Sequence, residues 1–311
     1  MPSIHVQTSI DIDAPADRIR EVLVDFHTWP AWSPWLYIEP EAQVSYRGDV
    51  GQPGHGYDWT GQKVGAGGMT LTRQSNERID CDLQFLKPFK SSAKVQFDLQ
   101  AGSQSRTAVT WHMDSSLPFF LFFMEASMSA MIRSDFRRGL LLLKDYVEQG
   151  ATHSHSEVQG VVKVDAVDYV GCAAETAMSD LSGSMQETFT ALHDGLRQAD
   201  IQSVGLPFCL YEKMNIKRDH CRYTVAMPVA AAVPAPAPLL VARRAECMAL
   251  KVVHTGPYHH LGNAWALLMS EARHRKLKVH RNAAPFECYL DDPQNTDAQE
   301  LVTELFLPVR G

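Results

Sequence analysis

The chain has 311 residues, of which 45% are hydrophobic and 21% are charged, and its formal net charge is −7. These values describe a folded protein of about two ordinary domains and exclude a disordered chain. Both halves contain more acidic than basic residues, so we expect no direct binding of nucleic acid and no association with a membrane. The six cysteines are scattered without a C-x-x-C pair, which predicts reduced thiols and a cytoplasmic location.

The opening of the chain predicts a half-buried strand followed by a helix. Apolar and polar residues alternate from Ile4 to Asp13, as they do on a strand with one buried face. Asp13 and Pro15 are helix-start signals, and apolar residues then recur at helical spacing as far as Phe26. The helix is predicted to stop near Trp29-Pro30.

Six short strands and a long helix are predicted next. The strands lie at 42–47, 55–62, 68–75, 78–86, 92–100 and 106–114, with turn residues between them. Such even spacing favours an antiparallel meander. Pro118 is predicted to end the sheet, and apolar residues at helical spacing predict a helix from Phe119 to Gln149.

Four large aromatic residues on these strands are candidates for a cavity wall: Tyr57, Trp59, Phe97 and Trp111. They either fill the core or line a ligand cavity under the long helix, and the pattern leaves both interpretations open. No charged group among them indicates acid–base chemistry.

The order of one strand, a helix, six strands and a long helix is that of the helix-grip fold. The segment DIDAPADRIREVLVDFHTWPAWSPW resembles the opening of the START-like, or polyketide cyclase (SRPBCC), superfamily. The resemblance covers about residues 3–149 and implies a curved sheet that wraps the long helix and leaves a cavity between them. We therefore predict a helix-grip domain at 1–149.

Residues 150–160 are small and polar, and they predict a flexible linker. Its two histidines have no cysteine or acidic residue in register, so we expect no metal site there. A long strand is predicted at 161–176, a helix at 184–199, a stiff proline-rich connector at 233–238 and a helix at 258–275.

The second half contains an internal repeat. PFCLY at 207–211 matches PFECY at 285–289, and CRYTVAMPV at 221–229 matches LVTELFLPV at 301–309. Each pair of strands follows a predicted helix and, before it, another strand. The repeated unit is therefore strand, helix, strand, strand, used twice.

The segments HTGPYHHLGNAWALLMSEA, PFECYLDDP and ELVTELFLPV resemble the gyrase-inhibitor-like (GyrI-like) effector-binding domain of transcription activators. The resemblance covers about residues 161–309, and we predict this domain at 161–311. It implies a duplicated β-α-β-β module that binds small molecules in a cleft along a pseudo-twofold axis. It also implies a pocket-facing glutamate in the final strand, and the matching residue here is Glu304. The predicted fold class of the whole chain is α+β.

Glu304 lies in an otherwise apolar strand, where alternation places it on the same face as Phe306. A buried carboxylate needs a partner, which is either a bound ligand or a structural salt bridge. The resemblance favours the ligand, with Phe306 beside it.

Four aromatic residues are predicted to surround the cleft. Tyr211 and Tyr289 are repeat-related, so a twofold axis brings them together. Tyr258 and Trp265 close the cleft, although Trp265 is equally consistent with ordinary packing. An anionic centre among aromatic rings suits a lipophilic cation, and drug-like cations are a ligand class that the resemblance implies.

The leading functional prediction is a protein that binds a small hydrophobic or cationic molecule. It would act as a sensor, a sequestering protein or an effector-binding protein without its own DNA-binding domain. The alternative is a hydrolase or cyclase that uses Glu304 with Tyr211 or Tyr289 as an acid–base pair. A third interpretation is an interaction module that docks a partner protein. No nucleophile-elbow or zincin motif occurs in the sequence, and we expect no catalytic constellation, cofactor or metal.

Overall fold

The computed structural model describes residues 3–103, 105–116, 123–230 and 233–310, and it divides into two units between Thr152 and His153. Each unit combines one antiparallel sheet with helices, as the predicted α+β class requires. In the described part of the chain, no helix has the length and apolar content needed to cross a membrane.

The first unit is a meander closed by a long helix. Its strands are β1 (Ser3–Ile12), β2 (Gln43–Arg47), β3 (Gly56–Thr60), β4 (Ala66–Gln74), β5 (Arg78–Lys87), β6 (Ser91–Ala101) and β7 (Thr107–Ser116). Its helices are α1 (Ala16–Val24), α2 (Trp29–Trp32) and α3 (Glu125–Gln149). The strand order β1-β7-β6-β5-β4-β3-β2 makes every neighbouring pair antiparallel. This is the predicted helix-grip arrangement.

The core of the first unit lies between the sheet and α3 and is rich in stacked aromatic rings. Trp111 on β7 stacks on Phe136 of α3, with ring centroids 4.2 Å apart and planes 9° apart. A Cβ atom at Gly139 of α3 would lie 2.9 Å from the Trp111 ring and from Pro34, so only glycine permits this close approach. The helix and the sheet are therefore in direct contact at this level.

Two helix predictions for the first unit need correction. The first helix ends at Val24, and a short 3₁₀ turn separates it from α2, which contains the predicted stopping point at Trp29. The long helix begins at Glu125, later than the predicted Phe119, and residues 119–122 of that prediction lie outside the described residues.

The second unit is built on one eight-stranded sheet. Its strands are β8 (His155–Val164), β9 (Val167–Thr176), β10 (Phe208–Asn215), β11 (His220–Pro228), β12 (Leu240–Arg244), β13 (Cys247–Thr255), β14 (Phe286–Tyr289) and β15 (Val302–Val309). Its helices are α4 (Leu181–Gln198) and α5 (Leu261–His274). The strand order is β12-β9-β11-β10-β14-β15-β13-β8.

The order of these strands displays the predicted duplication. The first repeat is β9, α4, β10 and β11, and the second is β13, α5, β14 and β15. The edge strands of the sheet are exchanged between the two repeats. β8 precedes the first repeat but pairs with β13 of the second, and β12 precedes the second repeat but pairs with β9 of the first. Both helices pack against the sheet, α4 over β9 and β11 and α5 over β13 and β15.

Short connections force this sheet to curl. Two residues, Asp165 and Ala166, join β8 at one edge to β9 near the other edge, and Ala245 and Glu246 join β12 to β13 in the same way. Strands at opposite ends of the sheet must therefore approach each other at these turns. Apolar residues from both ends meet on the face away from the helices and form a second core around Phe208, Phe286 and Phe306.

The predicted flexible linker is too long. Residues 155–160 belong to β8, whose alternating exposed and half-buried residues mark an edge strand paired with β13. The sequence pattern did not predict this strand because its side chains are small and polar. Its stability comes from main-chain pairing and not from an apolar face. The single strand predicted at 161–176 is in fact the end of β8 and all of β9, separated by the turn at Asp165.

Limited digestion with proteinase K is expected to cut first between Gly150 and Ser154, which lie between α3 and β8. Unpaired backbone is the preferred substrate of a protease, whereas paired strands must open before they are cut. Mass spectrometry of the early fragments should show two halves that resist further digestion. A first cut within β8 or within either sheet would contradict this boundary.

Candidate ligand-binding site

The two repeats meet where β10 and β14 pair at the centre of the second sheet. Tyr211 N–H donates to the Pro285 carbonyl (2.9 Å), and Tyr289 N–H donates to the Pro207 carbonyl (3.1 Å), so the contacts obey an approximate twofold relation. Glu287 and its repeat counterpart Cys209 are direct cross-strand partners at this axis. The duplication therefore places one acidic residue at the centre of the helix-covered face.

Glu287 is a buried carboxylate, with only 1% of its surface exposed. Its Oε2 accepts hydrogen bonds from the hydroxyls of Tyr211 (2.9 Å) and Tyr289 (2.7 Å). Its Oε1 accepts the indole N–H of Trp265 on α5. Within the described residues, no lysine, arginine or histidine contributes a hydrogen bond or ion pair to this carboxylate. Three neutral donors hold it in place without cancelling its charge.

Desolvation controls the ionisation of this site. Burial raises the pKa of Glu287, and the hydrogen bonds from Tyr289, Trp265 and Tyr211 favour the charged form and offset part of that rise. Burial, followed by the charge of Glu287, raises the pKa of both tyrosines. The hydroxyls therefore remain protonated and act as donors, and a positive charge near Glu287 would favour its ionised form.

Half-buried aromatic residues surround Glu287 between the two helices. Tyr289 makes edge-to-face contacts with Phe189 of α4 (5.7 Å) and with Tyr258 (5.6 Å) in the turn before α5. Trp265 meets Tyr211 edge to face at 5.5 Å. We call this cluster, in which Phe189, Tyr258 and Trp265 pack over Tyr211, Glu287 and Tyr289, the central cleft, because it lies where the duplicated module is predicted to bind its ligand. Five of these six residues are aromatic, and Glu287 is the one carboxylate among them; Asp291 and Asp292 act on Tyr258 from outside the set.

Of the residues predicted for the second domain, the structure brings together Tyr211, Tyr289, Tyr258 and Trp265. It places Glu304 and Phe306 elsewhere. Both lie on the face of the sheet that is turned away from the helices, where Phe306 stacks on Phe286 at 4.6 Å.

Glu304 has a structural partner on that second face. Its carboxylate accepts a hydrogen bond from Lys251 Nζ at 2.7 Å, and both side chains are about one-fifth exposed. The salt bridge considered as the alternative for this residue is thus the contact that the structure forms. The acid–base pair of Glu304 with Tyr211 or Tyr289 is not formed, since the sheet separates Glu304 from both tyrosines.

The sequence contained a usable signal for Glu287. It lies two positions before Tyr289, so strand alternation puts the two residues on one face. Its repeat counterpart is Cys209, so the duplication places it on the axis. Strand alternation in PFECY, like that in the last strand, therefore identifies the buried carboxylate.

The aromatic residues predicted as cavity walls in the first unit have different surroundings. Tyr57 and Trp111 are buried in the aromatic core, with 4% and 1% of their surfaces exposed. Trp59 is half-buried, packs edge-on against Phe85 at 6.2 Å and donates its indole N–H to the Val64 carbonyl. Tyr57 and Trp111 therefore fill the core, which is the first of the two interpretations that the sequence left open, and they do not line a ligand cavity.

Comparisons with known proteins agree with the two folds. The GyrI-like small molecule binding domain matches residues 161–310, and the polyketide cyclase / dehydrase and lipid transport family matches residues 3–148. No curated protein matches the chain.

Several solved structures resemble the chain at low sequence identity. An EcmrR–DNA complex has 17% identity and a TM-score of 0.45, and the match covers 63% of this chain and 73% of that chain. The EcmrR C-terminal domain has 19% identity and a TM-score of 0.43, covering 50% and 98%. SAV2435 bound to tetraphenylphosphonium has 16% identity and a TM-score of 0.39, covering 50% and 94%.

Proposed function

We propose that this chain, which joins a domain of the polyketide cyclase / dehydrase and lipid transport family to a GyrI-like small molecule binding domain, binds lipophilic organic cations in the central cleft. The observation that carries the proposal is Glu287, a buried carboxylate held by three neutral donors. The biological role that follows is that of a sensor or sequestering protein for such cations.

The charge of Glu287 favours a cationic ligand over a neutral one. A buried carboxylate without a cationic partner is costly, and a bound cation lowers that cost by direct attraction. The surrounding rings add apolar contact area and cation–π attraction. A delocalised organic cation suits such a site better than a metal ion or an ammonium ion because its dehydration costs less free energy.

Tetraphenylphosphonium, the cation in one of the compared structures, is a suitable probe, with triphenylphosphine oxide as a neutral aromatic control. Isothermal titration of the full chain at pH 8 should show saturable binding of the cation and much weaker binding of the neutral compound. Equal affinities for the two compounds would contradict the proposed role of charge.

The same titration should depend on pH in one direction. Below the raised pKa of Glu287 the carboxyl is neutral and offers no charge, whereas above that pKa it is ionised. Affinity for the cation should therefore rise with pH, by at most about tenfold per pH unit for one linked proton. The neutral control should show no such slope. Cation binding that strengthens as the pH falls would contradict this assignment.

A further inference from the structure

A second chemically distinctive cluster lies in the first unit, unrelated to the central cleft. It contains Asp25 and His27, in the turn between α1 and α2, and His55, just before β3. One ligand atom from each of these residues lies within 4.8 Å of the other two. We propose that Asp25, His27 and His55 bind one divalent cation of the zinc type.

Backbone contacts hold two of the three side chains in place. The Asp25 carboxylate accepts the His27 N–H at 3.0 Å, which fixes it at the start of the 3₁₀ turn. His55 is fully buried, and its Nδ1 lies 3.1 Å from the Arg47 carbonyl. A carbonyl only accepts hydrogen bonds, so Nδ1 carries the proton and Nε2 carries the lone pair, which faces the Phe26 N–H. A histidine anchored to a backbone carbonyl through its other nitrogen is the usual arrangement of a metal ligand.

The separations of the ligand atoms, from 2.8 Å to at most 4.8 Å, bracket the spacing that a metal ion requires. Bond lengths near 2.1 Å place two ligand atoms of a tetrahedral zinc ion roughly 3.4 Å apart. His27 Nδ1 lies 2.8 Å from Asp25 Oδ1, and the His27 side chain is half exposed, so it is free to move. The centroid of its ring lies 4.0 Å from that of Tyr46, and this contact keeps the His27 ring close to Asp25 and His55.

Binding of a metal ion would remove two existing hydrogen bonds. The Asp25–His27 hydrogen bond would be replaced by two metal bonds, and the 3.3 Å contact from Phe26 N–H to His55 Nε2 would be lost. Losing that second contact would leave the buried Phe26 N–H without its acceptor, a cost that the metal bonds must exceed. Two imidazoles and one carboxylate suit Zn²⁺, Co²⁺ or Ni²⁺ and not Mg²⁺ or Ca²⁺. The exposed side of the cluster leaves room for water in the remaining positions.

Titration of the EDTA-treated full chain with Zn²⁺ at pH 7.5, followed by calorimetry, tests the proposal. The wild-type protein should bind one equivalent of Zn²⁺. The variants His27→Ala and Asp25→Asn should each bind Zn²⁺ at least tenfold more weakly. The side chain of His27 is half exposed and that of Asp25 one-third exposed, and circular dichroism should show unchanged folds. Zn²⁺ should also raise the Tm of the wild-type protein but not that of the two variants.

Two controls separate this site from incidental binding by surface histidines. His5→Ala removes another exposed histidine–carboxylate pair, in which Nδ1 lies 2.5 Å from Asp114 Oδ1, and it should leave the equivalent intact. The double variant His153→Ala/His155→Ala should also retain it. A wild-type protein that binds no Zn²⁺, an equivalent that survives in His27→Ala or Asp25→Asn, or one that disappears in a control variant would overturn the proposal.

Discussion

Glu287→Gln should weaken tetraphenylphosphonium binding by roughly 10- to 100-fold, which corresponds to about 1.5–3 kcal/mol for a lost charge-assisted contact. The substitution preserves the size of the side chain and its place beside Tyr211 and Tyr289. It removes the buried charge beneath the aromatic residues. Calorimetric titration at pH 8 measures the change, and the pH slope of the affinity should disappear in the variant.

Two measurements show whether the loss comes from charge or from damage to the fold. Affinity for triphenylphosphine oxide should stay within about twofold, since neutral ligands gain little from a carboxylate. The Tm should change little, because relief of a desolvated charge offsets the hydrogen bond that the amide no longer accepts from Trp265. If both ligands lose affinity equally, Glu287 only shapes the cleft.

Glu304→Gln is the matched control, with the same chemical change on the opposite face of the same sheet. It removes the salt bridge with Lys251 and should cost about 1 kcal/mol of stability or less. Cation affinity should remain at the wild-type value. A drop in affinity like that of Glu287→Gln would mean that the ligand lies on the second face, beside Phe306.

Acid should destabilise the second unit through His254, the largest effect of pH that we expect. Its ring is fully buried on β13 beside Ser156 of β8, with Nδ1 3.0 Å from the serine hydroxyl. Burial lowers the pKa of His254 from 6.5 to about 4. Since the unfolded chain binds the proton more readily, the contribution is complete above pH 6.5, decreases as the pH falls and is gone below pH 4. The total is about 3 kcal/mol, of which roughly 2 is lost by pH 5.

Denaturant unfolding at pH 7, 6 and 5 measures this loss, and the variant His254→Gln should show a shallower decrease than the wild type. The comparison is needed because Glu287 acts in the opposite direction: its raised pKa adds stability as the pH falls. His193→Gln, at an exposed histidine of α4, should keep the wild-type slope. If His254→Gln folds poorly, an NMR titration of the wild-type His254 ring tests the low pKa directly. A midpoint near 6.5 would refute it.

The strands of the first sheet were predictable because each has one buried face and ends at turn residues. The alternation of apolar and polar residues predicts the start of β1 to within one residue of its observed position. Turn residues such as Gly102 separate the later strands. The duplication was equally clear, because two copies of one pattern reinforce each other. Such patterns depend only on neighbouring residues, so they can be recognised in a single sequence.

Features that depend on distant parts of the chain were not predictable in the same way. Strand β8 has little apolar character and forms because β13, far along the sequence, supplies its hydrogen bonds. Strand β12, which follows the proline-rich connector, likewise forms because the distant β9 supplies its hydrogen bonds. For Glu304, the sequence showed an acidic residue in an apolar strand but not Lys251, its partner across the sheet. Which face of a strand the helices cover is decided only by the tertiary fold.

The exchange of β8 and β12 between the repeats affects how the second domain folds. Neither repeat completes its half of the sheet from its own segment of chain, because each receives its outer strand from the segment that precedes the other repeat. The Ser156–His254 contact spans 98 positions of sequence. Such pairings are slow to form, because a long loop must close before any of their hydrogen bonds is made. The duplicated halves should therefore melt together in a single cooperative transition, with no species in which one repeat is folded and the other is not.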